Sequence, residues 1–384
     1  MDILAEKLGM DPVEFRLKNF ARLEDGDPFR KLPHTSNGME ECIQRGAETF
    51  HWTQRRQKTS EAGPVKRGVG MAIHACRHGG MPPGTPCSGM VRVNLDGTVN
   101  VLSGAADIGG GQKGTMAMIA AEELGVALAS VSVISADTDV TTDTGGTSGS
   151  RQTIVGGTGT KLAAADAKNQ LLEVAAEVLK ANKKDLTIRD GMVYAKGSEK
   201  GVPLGQIAAA APGPIMGRGV YKIPDNLIFH SAAAEFAEVE VDTRTGAVKV
   251  LQLVAVHDLG RAINVLTAEN QIEGGAIQGM GFALREEQLL DQNTGICVNP
   301  SHLYYKVPSI KDVPEIVPVM VESVDPYGPF GARGIGEPPY SPPAPAIANA
   351  IYNAIGVRFS ELPITNRAVL NRLQAAKAER ARNL

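Results

Sequence analysis

Met90-Val91-Arg92-Val93-Asn94-Leu95-Asp96-Gly97-Thr98-Val99-Asn100-Val101-Leu102-Ser103 reads as two alternating runs joined by Asp-Gly. Alternation with period two places the valines on one face, and Asp-Gly supplies the positive φ angles of a tight turn, so the stretch predicts a β-hairpin. Downstream, residues 116–124 are apolar enough for a buried helix, 131–135 return to a strand, and 153–182 form a long alanine-rich helical stretch. The same order recurs later in the chain. Residues 236–241 and 247–256 write a second hairpin around the turn at 243–246, followed by helical patterns at about 266–287, 345–355 and 366–379. Upstream, 68–75 reads as a strand. The chain opens with helical stretches over 1–23, where Asp11-Pro12 supplies a cap and a first-turn proline, and over about 39–52. Hairpins alternating with long helices predict an α+β, or mixed α/β, fold in which antiparallel sheets pack against helices. The polar, basic stretch 54–66 marks the expected internal boundary. It separates a helical N-terminal segment, 1–60, from a main domain, 61–384, with two α/β subdomains at about 61–215 and 216–384.

Charge and cysteine usage narrow the function. The 39 basic and 42 acidic side chains leave a net charge of −3, which excludes a general nucleic-acid binder. A hydrophobic content of 43% excludes a disordered chain. No run of about 18 apolar residues and no signal pattern is present, which predicts a soluble, cytoplasmic protein. Cys42, Cys76, Cys87 and Cys297 share no CxxC spacing, arguing against an iron–sulfur cluster or structural zinc held by this chain. His74, His78, His230, His257 and His302 show neither HxxxH nor HExxH, which disfavours a protein-ligated zinc.

Glycine is in excess and clustered. The 43 Gly and 23 Pro make 66 of 384 residues, roughly 17% where average usage gives about 12%. One cluster, Asp107-Ile108-Gly109-Gly110-Gly111-Gln112-Lys113-Gly114-Thr115, lies between a strand and a helix. Backbone amides there can approach an oxyanion or a flat ring with no Cβ in the way, though the segment lacks the GK[ST] of a P-loop. A tight strand-to-helix connection would use the same residues. A second cluster, Thr144-Gly145-Gly146-Thr147-Ser148-Gly149-Ser150-Arg151-Gln152-Thr153, places hydroxyls, amides and one arginine at a positive helix end, a pattern that favours an anionic ligand. The third, Gly328-Pro329-Phe330-Gly331-Ala332-Arg333-Gly334-Ile335-Gly336-Glu337-Pro338-Pro339, presents a carboxylate on a rigid loop. It suits a general base and equally a solvated loop glutamate.

Together these segments resemble the molybdenum hydroxylases, the family of xanthine dehydrogenase, aldehyde oxidoreductase, 4-hydroxybenzoyl-CoA reductase and nicotinate dehydrogenase. The N-terminal run from Asp2 through Leu8-Gly9-Met10-Asp11-Pro12 to Asn19 is similar to the family's D-x-x-A-x-x-L-G-x-D-P-x-x-x-R-x-x-N segment. Residues 107–115 resemble its glycine loop, 148–153 its SxSRxT loop, and Asn270-Gln271-Ile272-Glu273-Gly274-Gly275-Ala276-Ile277-Gln278-Gly279 its GQxEGxxxQG helix. Gly336-Glu337-Pro338-Pro339 matches its GEPP element. The resemblance implies the molybdopterin-binding fold of the xanthine dehydrogenase/aldehyde oxidase type. It covers only part of a large subunit and implies either a split gene, the favoured case, with the remaining half of the site on a second large-subunit chain, or a processed fragment.

What the resemblance implies can be stated residue by residue. Glu337 would be the catalytic base. Gly109, Gly110 and Gly111 would approach the cofactor through their amides with Gln112 nearby. Ser148, Gly149, Ser150 and Arg151 would hold pterin or phosphate oxygens, Gln271 would bond the pterin edge, and Gly336 would line the cofactor. His78 and Met81 fall where family members line the substrate channel. The cofactor would be molybdopterin, in the cytosine dinucleotide form, with molybdenum held by the pterin dithiolene and no protein metal ligand. The substrate would be an aromatic, N-heterocyclic or aldehyde-type carbon, oxidised with oxygen from water, and electrons would pass to an iron–sulfur subunit with 2Fe-2S centres and a flavin subunit with FAD. Two departures stand out. The glutamine or threonine common in the glycine loop is Gly110 here, with Gln112 displaced by two positions, and the segment 78–87 is longer and richer in Gly and Pro than in xanthine dehydrogenase. A non-catalytic assembly or cofactor-carrier subunit with the same fold is the alternative expectation.

Overall fold

The computed structural model describes residues 1–57, 63–77 and 86–382. The chain opens with four short helices, α1 (Asp2–Lys7), α2 (Pro12–Asn19), α3 (Met39–Thr49) and α4 (Trp52–Gln57). The helical opening over 1–23 forms as two helices: Gly9 turns the chain at φ 64°, and Asp11 caps the second as expected by accepting the Val13 amide at 2.8 Å, with Pro12 in its first turn. Strand β1 (Val65–Arg77) follows, then β2 (Pro86–Val93), β3 (Val99–Ser103), α5 (Gln112–Leu124), β4 (Val131–Ser135) and the long α6 (Gln152–Leu179). Next come β5 (Leu186–Arg189), β6 (Met192–Ala195), β7 (Val202–Pro203), α7 (Leu204–Ala210) and β8 (Ile215–Lys222). The last part of the chain supplies β9 (His230–Asp242), β10 (Val248–Asp258), α8 (Val265–Leu284), β11 (Glu315–Val321), α9 (Pro343–Ile355) and α10 (Asn366–Arg382).

Two four-stranded sheets organise the molecule, as the mixed α+β expectation required. One has the order β4-β3-β2-β8, antiparallel except for the parallel pair β3–β4. Its centre is the Asp96-Gly97 hairpin, where Gly97 has φ 85° and Asp96 accepts the Thr98 amide at 2.9 Å. Val91, Val93, Val99 and Val101 bury one face against Met116, Ala120 and Leu124 of α5 and Ala163, Ala167 and Leu171 of α6. The other sheet has the order β1-β9-β10-β11, antiparallel except for β10–β11. One of its faces carries Val239, Val241, Val250 and Leu253 against α8 and α9, and the other carries Met71, Phe236, Val254 and Val256 against α3, Phe50 and Trp52. A small third sheet, β5-β6-β7, completes the strands of the described residues.

Topology brings the loops of interest to one place. The β10 strand ends at Asp258, whose fully buried carboxylate forms an ion pair with the fully buried Arg333. Asp258 also accepts the Gly38 amide at 2.9 Å and the Ser323 hydroxyl at 2.6 Å, and Arg333 donates to the His230 carbonyl and to Ser323 Oγ at 2.8 Å. A buried charge pair persists where such additional bonds satisfy both groups. The backbone is stitched alongside, the Arg333 amide donating to the Leu259 carbonyl at 2.7 Å and the Arg261 amide to the Gly331 carbonyl at 3.0 Å. The segment carrying Glu337 therefore leaves from a fixed point between β10 and α8.

Candidate cofactor site and active centre

The glycine loop of residues 107–112 is closed by its own aspartate. Asp107 Oδ1 accepts the Gly109 and Gly111 amides at 3.1 and 3.2 Å, and Oδ2 accepts the Lys113 amide at 3.2 Å, at the N-terminus of α5. Converging amides at a helix start form an anion nest, here filled by an internal carboxylate. Gly109 (φ 105°) and Gly111 (φ 75°) take the left-handed conformations that the turn needs. The Gln112 side chain folds back over Gly110: a Cβ at position 110 would stand 2.7 Å from Gln112 Nε2. Gln112 thus puts a carboxamide into the space that a side chain at 110 would take, and its Oε1 is buried without a hydrogen-bond partner among the described residues.

The second loop is buttressed from within. Arg151 is only 1% exposed, donating to the Gly145 carbonyl and, at 3.0 Å, to Cys87 Sγ. Gln152 Nε2 donates to the Gly146 carbonyl at 2.6 Å. These interior contacts hold residues 145–150 in a tight path in which Gly145, Gly146, Gly149 and Ser150 all have positive φ. The guanidinium of Arg151 is engaged by the loop itself, while Ser148 is exposed and Gly149 and Ser150 are half-buried.

Glu337 meets that loop. Its carboxylate accepts the Gly149 amide on Oε1 at 3.2 Å and the Ser150 hydroxyl on Oε2 at 3.1 Å, and its own amide donates to Ser150 Oγ at 2.8 Å. Close approach is possible because the neighbours are glycines. A Cβ at Gly334 would lie 1.8 Å from the Ser150 carbonyl oxygen, and one at Gly336 would enter a gap bounded by Ser150 Oγ at 3.6 Å and Gln271 Oε1 at 4.0 Å. Beyond Glu337, Pro338 and Pro339 start a 3₁₀ turn that packs on α8, where a Cβ at Gly275 would collide with Pro339.

Gln271 stands on α8, which begins where Asn264 caps the Thr267 amide at 3.3 Å. Thr267 packs against Gly111. A small crevice of about 50 Å³ lies at the junction, lined by Gly110, Thr153, Arg261, Thr267, Gln271 and Ile335 among others. The four segments singled out in the sequence are thereby brought together. Asp107, Arg261 and Thr267 were missed. Asp107 adjoins the glycine run and could have been found as an N-terminal cap, whereas Arg261 and Thr267 carry no local signal. His78 and Met81 lie outside the described residues. Among the described residues no group of three or more His, Cys, Asp or Glu side chains is placed to hold a metal ion, and no helix is long and apolar enough to cross a membrane.

The chain as a whole matches known proteins. Residues 45–314 match the molybdopterin cofactor-binding domain. The chain belongs to that family. It is 34% identical over 387 residues to the putative xanthine dehydrogenase molybdenum-binding subunit XdhA of Escherichia coli K12, covering 98% of this chain and 51% of that protein. It is 30% identical to the 6-hydroxypseudooxynicotine dehydrogenase complex subunit gamma of Paenarthrobacter nicotinovorans, covering 99% of this chain and 50% of that subunit. Among solved structures, quinoline 2-oxidoreductase from Pseudomonas putida 86 superposes with a TM-score of 0.88 at 28% identity, over 97% of this chain and 50% of that one. The chain spans about half the length of the curated relatives it matches.

The residues present fit a molybdopterin. Gln112 offers a buried acceptor without a partner, and Gly336 leaves open a gap between Ser150 and Gln271 that any Cβ would fill. Around Gly109 and Gly146 the described residues leave space with no atom within 4 Å of a would-be Cβ. Carboxamides and amides suit the pterin's mixed donors and acceptors.

Proposed function

We propose that this chain is the molybdenum cofactor-binding part of a molybdenum hydroxylase that oxidises an aromatic, N-heterocyclic or aldehyde-type carbon with water as the oxygen source. The observation that carries the reading is Glu337: a half-buried carboxylate fixed by Gly149 and Ser150 of the 148–153 loop, two residues beyond Ile335, which lines the crevice with Gly110, Thr153 and Gln271. When bound, the molybdenum pterin supplies two-electron redox chemistry at the substrate carbon. Gln112, Gln271, Ser148 and the backbone at Gly110 and Gly336 would hold it, the Gly109 and Gly111 amides expected to do so being taken by Asp107, with Arg261 at the rim available to an anionic group. Among the described residues each Glu337 oxygen takes one donor, so lone pairs remain with which to take a proton from water on its way to the substrate. The Asp258–Arg333 pair keeps the segment from retreating during that transfer.

The relatives named as subunits support a complex. We propose a second large chain completing the molybdenum site, with iron–sulfur and flavin subunits as the electron route, and the dinucleotide form of the cofactor. The test is Glu337→Gln in the assembled complex. Molybdenum and pterin content should stay near wild type while turnover falls by at least about 10²–10⁴-fold, the usual loss on removing a general base. Retained turnover would remove Glu337 from the chemistry, and retained pterin with no dependence on Glu337 would favour a cofactor-carrier subunit.

A further inference from the structure

We propose that Ser150 is the positioning residue of Glu337, its hydroxyl setting the direction of the carboxylate. The assignment rests on the reading of Glu337 as the base. Ser150 Oγ accepts the Glu337 amide at 2.8 Å and lies 3.1 Å from Glu337 Oε2. With a lone pair already taken by the amide, the single hydroxyl proton is left for the carboxylate, so one side chain holds both ends of Glu337. The Gly149 amide takes the other oxygen at 3.2 Å. The two residues are 187 positions apart in sequence, and they meet because the backbone of one loop lies against the other, with Gly334 too close to the Ser150 carbonyl for any Cβ.

The backbone at Ser150 supports a built arrangement. Its φ is 51°, in the left-handed region that L residues other than Asn, Asp and Gly seldom occupy. A glycine would satisfy that conformation without strain, yet the position carries a hydroxyl. Strained non-glycine residues persist where the surrounding structure holds them, and they gather at active centres. Glu337 otherwise sits on a loop among glycines, with three side-chain torsions free to turn the carboxylate away.

Two substitutions separate the hydroxyl from the backbone. Ser150→Ala removes the hydroxyl and keeps the strain, and Ser150→Gly removes both. In the assembled complex, both should retain molybdenum content and KM while kcat falls by on the order of 10²-fold, the loss expected when a reacting group is misplaced by about 1 Å. Amide hydrogen exchange at Glu337 should accelerate in both, a readout independent of turnover. If Ser150→Ala fails to fold, Ser150→Gly decides, since glycine adopts φ 51° freely. Full kcat in Ser150→Gly, or unchanged exchange at the Glu337 amide, overturns the proposal. Loss of molybdenum in proportion to activity also overturns it, because the hydroxyl would then serve the cofactor. Should Glu337→Gln keep full turnover while Glu337 exchange still accelerates in the Ser150 variants, the base assignment falls and the contact alone stands.

Discussion

Each large sheet meets a long helix across a seam of the same design. Gly68 and Gly70 of β1 lie under α9, where a Cβ would stand 2.2 Å from the Ala350 carbonyl oxygen and 2.2 Å from the Ala350 nitrogen. Gly217 and Gly219 of β8 lie under α6, where a Cβ would stand 2.0 Å from the Ala163 carbonyl oxygen and 2.1 Å from the Gly159 carbonyl oxygen. In both seams the strand reads Gly-x-Gly, putting both glycines on one face, and the helix answers with small residues four apart: Ala346, Ala350 and Ala354, or Gly159, Ala163 and Ala167. The glycines of the two candidate loops are different. Gly109 and Gly146 have positive φ and open space around them. One excess in composition thus has two physical origins, backbone contact inside the core and left-handed turns that face open space.

Adding one methyl group to a seam is the most direct way to break that comparison. Gly70→Ala or Gly217→Ala sets a Cβ against helix backbone, which cannot rotate aside as a side chain can. The loss of stability should lie at or beyond the upper end of the about 1–3 kcal/mol usual for overpacking. Urea unfolding of the purified protein measures it, and a midpoint unchanged from wild type would mean that the helices stand off more than the seam geometry requires.

The sequence showed the hairpins and long helices because alternation and Asp-Gly turns are local signals. The hairpin at 90–103, the helix at α6 and the β9–β10 pair lie where patterning put them. It did not show β8, whose two glycines look like loop residues until α6 is laid over them, or β11, where Pro318 interrupts the pattern on an edge strand. The strands β5, β6 and β7 have two to four residues each, too few for a period to register. At the site, clustering drew attention to the glycine loops and Glu337, but the contact between Glu337 and Ser150 depends on folding two distant loops together. The inward turn of Arg151 was equally hidden, since a cation next to serines reads as a ligand for anions until Gly145 and Cys87 are found around it.

The two sheets also differ in what they bury. The β2–β3 core is built of valines, while the face of β1-β9-β10 toward α9 and α8 includes Glu235, opposite Ala72 and Ala255, and His257, opposite Ala233, with His74 across the same row. Glu235 is fully buried with neither oxygen partnered among the described residues, and burial holds its carboxyl well above the usual range. Burial pulls His257 down to about 3, with His74 adding to the effect. The signs oppose each other. Above about pH 4.5 the unfolded chain releases a proton that native Glu235 keeps, so stability falls as pH rises. Below about pH 6.5 the unfolded chain gains a proton that native His257 refuses, so stability falls as pH drops toward 3. Glu235→Gln should abolish the first slope, worth at most about 1.4 kcal/mol per pH unit, and keep the second. Urea midpoints of wild type and variant across pH 4–9 test this, and parallel curves would place an ionised Glu235 in the native core.

The smallest effect on folding belongs to the exposed glycines, and there the comparison becomes sharpest. Gly109→Ala meets no neighbouring atom among the described residues, so its whole penalty is the unfavourable φ of 105°. That amounts to about 1–2 kcal/mol, less than a seam variant loses. The added methyl group nevertheless stands in the open space in front of the glycine loop, beside the amides that Asp107 now holds. The expected outcome is a protein that unfolds near the wild-type midpoint and binds less molybdopterin, measured as pterin per chain in the purified complex. A variant that keeps full pterin would assign Gly109 to the turn alone, leaving cofactor contact in this loop to Gln112.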